Sequence, residues 1–208
     1  MDDRGVTQVV CAGDIAGFGP RPNECISMLM ARGVLAVMGN SDYDLLLPQE
    51  SAAPSSKRAY EIAEIEAWVR GQLSEESPSY LRGIPHCVEI QGGILVVHGA
   101  PGDMRRIVRP QDIPPIPDGF KVVLAGHLHV PFVIRHEDGL WVNVGSAGRP
   151  CDRDPRPAVS LLTERDGEWV VSQHRVDFDP QISARDIMES GMPFAANVAS
   201  AVLEARWY

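Results

Sequence analysis

TQVVCAGDIAGFGPRPNECISMLMARGVLAVMGNSD, residues 7–42, contains two short apolar runs on either side of a longer amphipathic one. TQVVCAG (7–13) and VLAVMG (34–39) carry β-branched residues and each stops at glycine, so both read as buried strands. Between them, RPNECISMLMARG opens at a proline, places Ile26, Met28, Leu29 and Met30 along its length and stops at Gly33. Proline in the first turn and glycine past the last are helix punctuation, so the segment is a βαβ unit and the chain begins on an α/β plan.

Working outward, SSKRAYEIAEIEAWVRGQL (55–73) sets Ala59, Ile62, Ile65 and Val69 at helical spacing and predicts a surface helix. HCVEIQGGILVVHG (86–99) reads as a hairpin turning at Gly92–Gly93. KVVLAG (121–126) is one more strand. PFVIRHEDGLWVNVG and AVSLLTERDGEWVVSQHRV each break at an Asp-Gly pair, 138–139 and 166–167, a strong hairpin signal. A helical tail covers 181–205. A βα half followed by hairpins predicts two sheets packed face to face with helices outside, in one domain spanning 1–208. The proline-rich RPQDIPPIPDG (109–119) reads as a surface loop.

Composition narrows the function classes. With 44% hydrophobic and 23% charged residues, the chain has the balance of an ordinary globular protein. A net charge of -9 with only two lysines argues against a broad nucleic-acid-binding face, while a local cation would still admit a small anionic substrate. Its apolar runs, such as GILVV, are too short to span a bilayer, so no membrane association is expected. The start MDDRGVTQVV lacks the pattern of a secretory signal, and the four cysteines show no CxxC spacing, which predicts a cytoplasmic protein.

The strand ends carry the chemistry. Four separate apolar runs finish in glycine-flanked polar residues: Asp14, then Asn40 with Asp42, then His98, then His127 with His129. In an α/β sheet such ends converge on one crevice. One histidine at a strand end is more often a hydrogen-bonded structural residue than a ligand; the fourfold recurrence favours a metal site. An oxygen and imidazole donor set suits Mn, Fe, Zn or Ni rather than calcium. His86, His136 and His174 lack the glycine setting and read as structural. Arg105 and Arg106 are candidate substrate-anion contacts, against the commoner reading of a solvated arginine pair, and Ser146 in NVGSAG is a further candidate or a turn residue. Asp42 either orients the group at position 41 or caps the following turn.

GDIAGFGPRPNE, GNSD, VVHGAP, GHLH and VNVGSAGRP resemble, in order and spacing, the motifs of the calcineurin-like metallophosphoesterases, especially the small bacterial and archaeal phosphodiesterases. The resemblance implies a four-layer αββα sandwich of two mixed sheets with two divalent metals in the crevice. Carried over by motif, Asp14 is the bridging carboxylate, Asn40, His98 and His127 complete one metal's shell, and His129 belongs to the other metal; Asp14, Asn40 and Asp42 form the catalytic set. Two ions ~3.5–4 Å apart clamp the phosphoryl oxygens and supply hydroxide for in-line attack. The implied activity is hydrolysis of a small phosphate ester. The rival function is a weakly catalytic, metal-stabilised interaction scaffold, as the retromer subunit of this fold exemplifies.

Two departures qualify that expectation. The family's GNHD is GNSD here, so Ser41 replaces a histidine thought to protonate the leaving group. The family also opens on a strand ending in DxH, and no DxH occurs in this sequence. The N-terminal βα unit is therefore expected to be missing, leaving Asp14 and His129 for the first metal, so that one ion is held and activity is impaired. Three origins fit: a start codon lying upstream, which is favoured; a natural truncation; or a partner covering the open sheet position, with self-association through the exposed edge.

Overall fold

The computed structural model describes residues 5–48 and 55–208. The opening βαβ unit forms as the glycine and proline punctuation predicts: β1 (Val10–Cys11), α1 (Pro22–Ala31) and β2 (Leu35–Ala36), with β1 and β2 parallel. The strands are far shorter than the apolar runs that contain them. Two helices follow, α2 (Asn40–Leu46) and α3 (Lys57–Gln72), then a third, α4 (Ser77–Arg82). Ser56 caps α3, its side chain accepting from the Ala59 N–H at 3.1 Å.

A five-stranded sheet comes next, built from β3 (Cys87–Ile90), β4 (Ile94–Val97), β5 (Val122–Ala125), β6 (Phe132–His136) and β7 (Gly139–Asn143) in the order β3-β4-β5-β7-β6. Its centre, β4-β5-β7, is parallel, and both flanking strands pair antiparallel. Because successive side chains on a strand point to opposite faces, the uninterrupted apolar runs of β4, β5 and β7 supply two cores at once. Leu95, Val97, Val123, Ala125 and Trp141 line one face. Ile94, Val96, Val122, Leu140 and Val142 line the other.

The second face meets both Val10 and Val37 from the opening unit and Leu162, Trp169 and Val171 from the hairpin β8 (Ala158–Arg165) and β9 (Glu168–Arg175). The opposing layer is thus made of two separate two-stranded pieces, β1-β2 and β8-β9, with no ladder between them among the described residues. Helices cover that layer from outside: α1 and α4 close over β2 through Ile26, Leu81, Ala36 and Met38. Ile65 and Val69 of α3 pack with α5 (Pro180–Glu189) and α6 (Ala195–Leu203), into which the predicted helical tail divides. No helix is long and apolar enough to cross a membrane among the described residues.

The proline-rich stretch departs from its reading as a plain surface loop. Val108 and Ile116 are buried, and with Ile113 they pack on the outer face of the five-stranded sheet. The connection from β4 to β5 therefore covers a sheet face without forming a helix.

Candidate metal centre

Every sequence-selected ligand lies just beyond the carboxyl end of a strand, in one crevice between the two layers. Asp14 follows β1, Asn40 is the first residue of α2 after β2, His98 follows β4, and His127 and His129 follow β5. Atoms of Asp14, His98 and His127 that can bind a metal lie within 4.8 Å of one another. His98 Nε2 is 3.3 Å from Asp14 Oδ2, 3.1 Å from Asn40 Oδ1 and 3.2 Å from His127 Nδ1. Four donors on spokes of about 2.1 Å around a tetrahedral ion would be about 3.4 Å apart, and the three distances from His98 Nε2 lie close to that spacing. His129 Nε2 approaches the same Asp14 oxygen at 3.8 Å. Among the described residues, Asp14 and His129 are the donors available to a second ion.

The imidazoles are oriented by backbone carbonyls. His98 Nδ1–H donates to the Ala12 carbonyl at 2.6 Å, His127 Nε2–H to that of Arg105 at 3.1 Å, and His129 Nδ1–H to that of Arg149 at 2.8 Å. The other nitrogen is thereby left to face the cluster, that of His98 toward Asp14 and Asn40, that of His127 toward His98 and that of His129 toward Asp14, as metal-binding histidines require. Trp207 stacks on the His129 ring at a centroid distance of 5.5 Å.

The two histidines of GHLH do not lie in a strand at all, because β5 ends at Ala125. His127 (φ 60°) and His129 (φ 61°) both adopt the left-handed region, as does Asp14 (φ 55°). Non-glycine residues there are strained, and such strain concentrates at functional sites. The intervening Leu128 is buried while both imidazoles face the crevice. The glycines make room: a Cβ on Gly13 would come within 2.7 Å of His98 Nδ1, and one on Gly39 within 2.1 Å of the Asp14 nitrogen.

Electrostatics follow from the geometry. Burial pushes the Asp14 carboxyl upward, yet hydrogen bonds from His129 and His98 in their doubly protonated forms outweigh it and hold the group well below the usual carboxylate range. Burial likewise disfavours the charged His98, and the Asp14 carboxylate overrides it, raising the imidazole above its ordinary value. His127 is lowered, by burial first and then by the neighbouring His98.

Other selected residues stand outside the cluster. Asp42 is fully buried; its Oδ1 accepts from the Ala16 N–H at 2.9 Å and its Oδ2 from the Gly39 N–H at 3.1 Å, and burial pushes its carboxyl up to about 6. It holds the loops that bear Asp14 and Asn40. Ser41 donates its backbone N–H to Asp14 Oδ1 at 2.9 Å. Arg105 is spent on a two-pronged ion pair with Asp44, and Arg106 is exposed. The Ser146 hydroxyl accepts from the Arg149 backbone N–H at 3.0 Å. Sequence reading missed the carbonyls of Ala12, Arg105 and Arg149, since any residue can supply that group.

The comparisons agree with this architecture. A model of the calcineurin-like phosphoesterase superfamily domain matches residues 1–167. An uncharacterised protein of Methanocaldococcus jannaschii is 25% identical over 213 residues, covering 93% of this chain and 85% of that protein. A metallophosphoesterase structure from Sphaerobacter thermophilus superposes with a TM-score of 0.78 at 26% identity, over 98% of this chain and 91% of that one. A hypothetical protein from Pyrococcus horikoshii OT3 superposes with a TM-score of 0.81 at 19% identity, over 100% and 89% of the two chains, and speaks to the fold alone.

Proposed function

Because the chain belongs to the calcineurin-like phosphoesterase superfamily, we propose that it is a metal-dependent phosphoesterase acting on a small phosphodiester in the crevice around Asp14. The observation that carries the reading is the convergence of the Asp14, Asn40 and His127 donor atoms within 3.1–3.3 Å of His98 Nε2, with the His98 and His127 imidazoles steered by carbonyls. Those four residues would hold one divalent ion, Mn, Fe, Zn or Ni, and Asp14 with His129 would face a second. Divalent ions bound there supply Lewis acidity toward the phosphoryl oxygens and a water acidic enough to attack near neutral pH.

The chain's own contributions are orientation and charge. Asp14 turns one carboxylate oxygen to His98 and His129 and spends the other on the Ser41 N–H, so its rotation is fixed before substrate arrives. Asp42 acts as a positioning residue, holding Gly39 and Ala16 and with them the two ligand loops. Ser41 lies buried where the resemblance expects an imidazole, and a hydroxyl donates no proton usefully near pH 7. The substrate must therefore bring a leaving group stable as an anion.

The test is hydrolysis of bis-p-nitrophenyl phosphate with added manganese, alongside metal content. Wild-type protein should bind metal and turn over the aryl diester, and Asp14→Ala should lose turnover by more than ~100-fold. Alkyl monoesters cleaved as fast as the aryl diester would refute the role assigned to position 41. A second reading is favoured by the scarcity of donors for the second ion, Asp14 and His129 among the described residues: a metal-stabilised interaction scaffold with weak catalysis. Metal binding without any manganese-dependent turnover would select it.

A further inference from the structure

Arg149 is held against the candidate metal centre by its backbone, and among the described residues its buried Nε has no acceptor and its guanidinium no carboxylate. Its carbonyl receives the His129 Nδ1–H at 2.8 Å and its N–H donates to Ser146 Oγ at 3.0 Å, so the residue is tied to a ligand. Its side chain crosses to the loop that follows Asp14, where Cζ lies 4.3 Å from the centroid of the Phe18 ring. Phe18 adjoins Gly17, whose added Cβ would fall 2.8 Å from Ser41 Cβ, so the arginine lies along the wall that leads to position 41.

The other partly buried arginines among the described residues all have acceptors: Arg70 two carbonyls, Arg175 Asp152, Arg206 Glu204. Arg149 pairs with no carboxylate among the described residues; the Cys151 thiol lies beside its fork, and its Nε is sealed from solvent with no acceptor among the described residues. Nearby acids are spent elsewhere: Glu61 on the Tyr208 hydroxyl, Asp152 on Arg175, and Asp14 on the histidines. Burial, the largest influence on it, pulls the guanidinium below its ordinary value, the mark of a cation lacking a counter-charge. A planar fork of donors with no carboxylate partner and an unused Nε–H among the described residues, stacked on an aromatic ring beside a carboxylate-imidazole cluster, is suited to receive the oxygens of a phosphoryl group.

We propose that Arg149 is the anion-binding residue of this crevice, its guanidinium donating to non-bridging oxygens of a phosphoryl group. The proposal rests on the phosphoesterase reading for the identity of the anion. It also moves the role that sequence suggested for Arg105, whose fork is occupied by Asp44, onto a different arginine.

The test is inorganic phosphate titrated into the zinc-loaded protein by calorimetry, with zinc content measured in parallel. Arg149→Gln should weaken phosphate binding by about tenfold or more with zinc content unchanged, and millimolar guanidine should restore part of the loss. Phosphate affinity within twofold of wild type in a folded, zinc-loaded variant overturns the proposal. Where that variant does not fold, wild-type protein labelled with ¹⁵N reads the same point: the Arg149 Nε–H resonance, assigned with Arg149→Lys, should shift as phosphate is added, and an unmoved resonance at saturation overturns it. Phosphate binding that depends on Arg149 in a protein that hydrolyses no ester leaves this inference standing and removes the phosphoesterase reading. Hydrolysis with the KM and phosphate inhibition unchanged in Arg149→Gln does the reverse.

Discussion

Three of the five candidate ligands, Asp14, His127 and His129, hold left-handed backbone angles that their side chains disfavour. The carbonyl clamps from Ala12, Arg105 and Arg149 fix the rings in turn. The consequence for pH runs in opposite directions with and without metal. His98 has a raised folded-state pKa, so in metal-free protein its stabilising pair with Asp14 is fully present below about 6.5 and is lost as pH rises through the raised value. Asp14 is lowered, so its share is present above about 3.8 and disappears only in strong acid. Metal needs the imidazoles deprotonated, so its affinity climbs over the range in which the pair weakens. Melting curves with EDTA and with zinc at pH 6, 7 and 8 should therefore diverge, the gain from zinc widening with pH. A constant gain across that range would remove His98 from the ligand set. The side-chain ligands were legible in the sequence because each ends an apolar run beside glycine; their backbone strain and carbonyl clamps were not, because neither depends on a recognisable residue type.

At the scale of elements, glycine and proline punctuation located α1 and all three hairpins to within a few residues, and the helical spacing of apolar residues located α3. It overstated β1 and β2, which keep two residues each of much longer apolar runs, because a strand is defined by its neighbours and these have only one another. The short helices α2 and α4 carry too few turns to show a periodicity, and α2 begins on a ligand, Asn40. The stretch 109–119 was read by its prolines, whereas Ile113 and Ile116 decide its place against the sheet. Ile65, fully buried on α3, joins that helix to α5 and α6 and is not itself among the candidate ligands. Ile65→Ala should cost about 2–5 kcal/mol of unfolding free energy in urea titrations while leaving metal stoichiometry unchanged. Lost stoichiometry in a folded variant would mean that the helical layer, and not the strand ends, sets the ligand spacing.

Across the whole molecule, the predicted pair of facing layers is present, with one layer continuous and the other in two pieces. Charge is balanced locally more than globally: a chain with net charge -9 still places, beside its crevice, the Arg149 guanidinium without a carboxylate partner among the described residues. The ligands are shared between the layers, Asp14 and Asn40 from the β1-β2 side, His98, His127 and His129 from the five-stranded sheet. A cation at that spot therefore works as a rivet through two plates that otherwise touch mainly by greasy contact. Stripping it with a chelator should let the plates breathe, and deuterium uptake should rise in 10–16 and 94–100 together.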